Sequence, residues 1–160
     1  MRQVLTTGLL WFSAVGCGLM AGVYFAFSAF VMTALARLDQ AAGIAAMNAI
    51  NVDIVRSLFM PLFLGTTVAG AALVVMGVLR LSEPGAVSMV AGGGLYVVGM
   101  FLVTMVFNVP LNDALAAAQP SAPEAGAVWA AYLKDWVFWN HVRTVASVVA
   151  SALFVVALAA

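Results

Sequence analysis

Charge is scarce in this 160-residue sequence: 8% of it is Asp, Glu, Lys or Arg, and six basic groups cancel six acidic ones. A soluble domain carries about 25%, so water is not the main solvent here. The few basic residues are scattered and form no stripe that could neutralise phosphates, which argues against nucleic acid as a partner. Cysteine is nearly absent. Cys17 alone can form neither an internal disulfide nor a CxxC redox pair. His141 is the single histidine, with only Asp53 and Asp113 as carboxylate company, so a mononuclear or di-iron centre is not expected. The period-two alternation of a transmembrane β-barrel is missing as well.

What is abundant is apolar: 66% of the residues are hydrophobic, and the mean hydropathy is +1.14. Between charged positions lie uncharged runs at 3–36, 57–79, 84–112 and 144–160, each near or above the ~20 residues that a spanning helix needs. The fold class is therefore all-α: a polytopic membrane protein, one four-helix bundle over residues 1–160. The spans are expected at about 4–34, 58–79, 87–108 and 136–158, with a short helix at about 43–56 in the first loop. Arg2 with Ala14-Val15-Gly16-Cys17 resembles a lipoprotein signal, but the apolar run continues to Ala36, which reads as a first transmembrane helix. Arg2 is expected to anchor its start. Its Gly18, Gly22, Ala26, Ala29 and Thr33 share one arc, read as a close-packing face that permits a homo-oligomer as well as packing within the bundle. Thr6, Ser13, Cys17, Tyr24 and Ser28 share another arc.

In the first-loop helix, a step of 100° per residue puts Ile44, Met47, Val55 and Leu58 on one side with Asn48 and Asn51, and turns Asp53 and Arg56 the other way. Pro110 predicts a break at the end of the third span. Residues 114–127, with Pro120 and Pro123, read as a loop, and Trp129, Tyr132, Trp136 and Trp139 as an aromatic approach to the interface. Because the spans alternate, the first and third loops share a membrane face, and nearly everything polar gathers there. The basic residues do not orient that face.

On the fourth span, Trp136, Asn140, His141, Arg143, Thr144, Ser147 and Ser151 share one half, opposite Phe138, Val142, Val145 and Val149, which should face lipid. An ionisable residue in a span is a default pointer to function, although Arg143 could also snorkel to the interface. His141 lies about 160° from Arg143 around the helix, so the two are read as flanking a pocket, with His141 as proton acceptor or as an interfacial histidine bonded to backbone. Asn108 and Asn112, with Thr104 and Phe101, line a stripe of the third span. They serve either as interhelical glue or as donors to an oxyanion.

Three stretches carry a family likeness: Gly22 to Met32 (GVYFAFSAFVM), Phe107 to Asp113 (FNVPLND) and Trp136 to Thr144 (WVFWNHVRT). They resemble the bacterial branch of the anthrone oxygenase family, formerly a membrane domain of unknown function, over essentially the whole chain. Thr33 departs from the proline expected after Val31-Met32. The resemblance implies oxidation of anthrones to anthraquinones by O2 with no recognised cofactor, as associated with fungal relatives; most bacterial members have no assigned reaction. Positions matching the shared motifs are Asn108, Asn112, Asp113, Asn140, His141 and Arg143, expected to be catalytic. Asn48, Asn51, Tyr24, Trp136 and Trp139 are expected to contact substrate.

The expected function is thus a membrane-embedded, cofactor-independent oxygenase. Its substrate would be a flat, apolar phenol taken from the lipid bilayer, with His141 removing a proton and Arg143 with the amides holding the enolate. The expected location is a bacterial inner membrane. The alternatives are a non-catalytic membrane binding or scaffold protein, and a redox protein holding haem or quinone, with His141 as the haem ligand.

Overall fold

The computed structural model describes residues 2–120, 122 and 124–160. The side chain of Arg2, expected as an anchor, and Pro123, expected in the last loop, lie outside the described residues. All described elements are helical. The first helix, α1, runs through Arg2–Ala26, a wide π-helical turn Phe27–Val31, and Met32–Leu35. A short turn leads to α2, Gln40–Arg56, and then to α3, Phe59–Val78. The fourth helix, α4, joins Ala86–Leu95, two wide turns Tyr96–Leu102 and Thr104–Asn108, and Val109–Ala117. The last, α5, is Ala125–Ala159. Helices α1, α3, α4 and α5 are long and apolar enough to cross a membrane, as the uncharged runs predict.

These four pack in a ring, α1 on α3 and α5, α4 on α3 and α5. Antiparallel α1 and α5 are tied by Ser151 Oγ donating to the Ala14 carbonyl and Asn140 Nδ2 donating to the Tyr24 carbonyl, both at 2.8 Å. The tight turn between α3 and α4 uses Gly85 at φ 77°, a left-handed conformation open to glycine without strain. Above it the two backbones touch, and a Cβ on Gly93 would collide with the Gly70 carbonyl.

Several expectations are corrected. Of the face of Gly18, Gly22, Ala26, Ala29 and Thr33, Gly18 packs toward α5, where a Cβ would lie 3.6 Å from Ser151 Oγ, whereas Gly22, Ala29 and Thr33 are exposed in the single bundle and a Cβ on Gly22 meets nothing within 4 Å; the close approach of α1 is instead at Gly16, whose Cβ would collide with the Thr66 side chain of α3. Pro110 does not break its helix. Its ring would clash with a carbonyl four residues back in a regular helix, but the wide turn before it, closed by the Val109 N–H on the Thr104 carbonyl, changes that spacing. Helix therefore continues to Ala117 and resumes at Ala125, where residues 114–127 read as a loop. Val55 and Leu58, expected on the inner side of α2, are 55% and 86% exposed, while Ile44 and Met47 are buried as expected.

The wide turns also explain a stripe that a regular helix would not hold. Residues four apart slew by about 40° per step in an α-helix, yet Tyr96, Met100 and Asn108 are all buried, with Thr104 half-buried between them. Wide turns hold more residues each and offset the slew, keeping every fourth residue of α4 toward the bundle.

Candidate functional site

A cavity of about 250 Å³ lies within the bundle at the end where α2 crosses it, near the lower bound of the ~300–1,000 Å³ typical of small-molecule pockets. All five helices contribute to its wall: Tyr24 and Phe27, Met47 and Asn51, Phe59 and Phe63, Thr104 and Asn112, Trp136 and Arg143. Most of the wall is apolar; its polar groups are few and arranged in detail.

Arg143 stands one turn past Asn140 on α5 and is 5% exposed. Its guanidinium lies 4.4 Å from the Tyr24 ring centre and 5.1 Å from that of Trp136. One terminal nitrogen donates to Asn140 Oδ1 at 2.8 Å and the other to Thr104 Oγ1 at 3.4 Å. No carboxylate answers it: among the described residues the ion pair found is Arg80 with Glu83 in the α3–α4 turn. Two aromatic faces, an amide oxygen and a hydroxyl therefore surround a buried guanidinium in place of a carboxylate.

The cavity's unbonded groups have one polarity. Arg143 Nε, Trp136 Nε1 and Asn51 Nδ2 are buried donors without hydrogen-bond partners, and all three residues line the cavity. The acceptor Asn112 Oδ1 is already used by the Tyr132 hydroxyl at 2.8 Å. Among the described residues, no Asp, Glu, His, Lys or Cys lines the wall. Such a site can stabilise an oxygen anion and offers it no side-chain base.

The expected site residues divide accordingly. Tyr24, Asn51, Asn112, Trp136 and Arg143 line the cavity. Asn140 lies behind, 0% exposed, and its amide bridges the Tyr24 carbonyl and Ser28 Oγ while its oxygen orients Arg143. Asn108 is buried beside it and donates to the Trp136 carbonyl at 3.2 Å, tying α4 to α5. Asn48 is half-buried on α2 without reaching the wall. The remaining three lie away from the cavity altogether. Asp113 is exposed; Trp139 stacks on Phe107 at 3.6 Å on the outer side; and His141 is exposed among Phe138, Val142 and Val145 on the lipid-facing side of α5. His141 does not flank the pocket, because its angle of about 160° from Arg143 carries it past the rim to the opposite face.

Trp129, Tyr132 and Trp136 correct another expectation. They are 6%, 1% and 5% exposed, so they form no interfacial belt but a buried stack, with ring centres 5.8 and 5.6 Å apart. Their spacing of three and four residues marks one helix face, a signal that pointed to burial. Tyr132, read as interfacial, and the apolar wall of Phe59, Met60 and Met105 belong to the site without having been assigned to it from the sequence.

The model of the anthrone oxygenase family matches residues 55–153, more than half of the chain. This chain belongs to the anthrone oxygenase family. The match includes Thr104, Asn108, Asn112, Trp136, Asn140 and Arg143, while Tyr24 and Asn51 lie before it. No curated protein and no solved structure matches the chain. Among the described residues, no group of three His, Cys, Asp or Glu side chains is placed to hold a metal ion.

Proposed function

We propose that the cavity binds the enolate of a flat, apolar phenolic substrate of the anthrone kind and delivers it to O2 without a bound cofactor. The observation that carries this reading is Arg143, a buried cation on the cavity wall with no carboxylate partner and an unbonded Nε. Together with Trp136 Nε1 and Asn51 Nδ2 it supplies donors fixed in a water-poor site, the arrangement that stabilises a developing oxyanion most strongly.

An anthrone has an acidic C–H opposite its ketone. Ionisation places negative charge on the oxygen, where the donors hold it, and the proton passes to a water molecule at the half-exposed Asn51 and Asn112, since no side-chain base lines the wall. The enolate carbon gives one electron to O2; the carbon radical and superoxide combine, and with a proton form a C–O–OH bond. Loss of water from this hydroperoxide breaks the O–O bond and the remaining C–H bond, leaving the second ketone. One anthrone and one O2 thus become one anthraquinone and one water.

Purified protein in lipid vesicles, given anthrone, is expected to take up O2 and form anthraquinone well above the protein-free rate, and Arg143→Met is expected to lose most of that excess. Wild-type protein that binds the anthrone but takes up no O2 would replace this reading with non-catalytic binding.

A further inference from the structure

The cavity has a polar inner end and an apolar outer one. Arg143, Thr104 and Tyr24 stand inside; its outer boundary is Ile54 and Val55 on α2, Phe59 and Met60 on α3, and Met105 and Val109 on α4. Val55 and Met105 line the cavity and yet remain 55% and 47% exposed, so the wall is open where they stand.

The paths of α3 and α4 explain the opening. Next to their turn, a Cβ on Gly77 would meet the Ala86 carbonyl at 2.9 Å, and further on Gly70 and Gly93 touch backbone to backbone. Nearer the cavity the helices are held apart by two rings, Phe63 and Phe101, with centres 5.5 Å apart. Continuing the same antiparallel register brings Phe59 opposite residues 104–105, and there the cavity itself separates the helices. The pair diverges from glycine contact to aromatic spacer to open cleft. Helix α3 has 20 residues, about 30 Å at ~1.5 Å each, which matches the hydrocarbon thickness. Phe59 and Met105 therefore lie at its edge, against acyl chains.

We propose that the cavity is filled sideways from the bilayer, through the cleft between α3 and α4 beneath α2, by a planar lipophilic acid that arrives neutral and meets its first cation at Arg143. An apolar rim rejects hydrated anions, since stripping water from a charge is costly, while a neutral enol or phenol crosses it and ionises at the inner donors. This assignment rests on the reading above only in treating the cavity as a ligand site.

Access is read through Trp136, which is on the cavity wall. Its fluorescence is isolated as the difference between the protein and its Trp136→Phe variant, in vesicles of phosphatidylcholine with or without bromine on the acyl chains near the headgroup. Brominated chains are expected to quench the Trp136 component at least twofold more than acrylamide added to the water. Val55→Phe with Met105→Phe, apolar replacements at half-exposed positions that leave the core untouched, are expected to halve the lipid quenching. Stronger quenching by acrylamide than by brominated chains would overturn the proposal, as would lipid quenching unchanged by the two phenylalanines. Failure of anthrone oxidation would instead remove the reaction proposed above and leave the quenching result standing.

Discussion

Arg143→Met separates a cation kept for packing from one kept for a ligand. The variant loses a charge-assisted hydrogen bond to Asn140, worth about 1.5–3 kcal/mol, and two desolvated contacts with the Tyr24 and Trp136 rings, each about 1–2 kcal/mol. Against this, it no longer places an ionised group in the membrane interior, a cost of ~2.5–3.5 kcal/mol, and methionine fills much of the same volume. The net destabilisation is then on the order of 1–3 kcal/mol, which leaves the bundle folded. Binding responds more sharply. A hydroxyanthraquinone carries an ionisable phenol but no oxidisable C–H, so its affinity can be followed by Trp136 quenching without turnover. Loss of a charge-assisted bond to its phenolate, about 2–3 kcal/mol, weakens binding by about 30- to 150-fold. The methyl ether of the same compound, which cannot ionise, should lose under threefold. Denaturant titration in mixed micelles supplies the stability. An Arg143→Met protein that is folded and binds the phenol as wild type does would refute the anion-binding argument.

His141→Ala is expected to change anthrone turnover by less than twofold, because the imidazole lies on the outer side of α5; a loss of 100-fold or more, the scale of a general base, would restore it to the mechanism. Gly93→Ala should destabilise the bundle by ~1–3 kcal/mol through the collision with Gly70 and Val74. Gly22→Ala, open to space, should be neutral or gain up to ~1 kcal/mol in helix propensity; equal losses at the two glycines on thermal unfolding in detergent would contradict the packing described.

The four spans were legible because charge is excluded from hydrocarbon so strongly that its absence marks them. The inward direction of Asn140 and Arg143 was equally readable, since one regular helix carries both, but the same wheel left His141 at the margin of the polar half and read it inward as well, beside Arg143. Reading them as two walls of one pocket misjudged how much of α5 faces lipid. The exposed face of Gly22, Ala29 and Thr33 shows a different limit: small residues permit close approach but do not state which partner makes it. The run from Pro110 to Ala127 misled because proline and alanine are local signals, and the wide turn that accommodates Pro110 comes from residues before it. The cavity itself was illegible, being made by the divergence of α3 from α4, which no single segment encodes.

Those wide turns bear on how relatives of this chain should be aligned. A π-helical turn is a regular helix carrying an extra residue. A homologue that lacks one residue within 104–108 would close a regular turn there and keep the same hydropathy, nearly the same reach and the same facing for everything after the deletion, but its numbering would fall one residue, or about 100° of helix, out of step. An ungapped alignment of two such chains would pair an inward amide with a lipid-facing side chain and report a substitution where none had occurred. Indels inside an apolar span, normally dismissed as errors, are in this family the places to look first when one member's site fails to match another's.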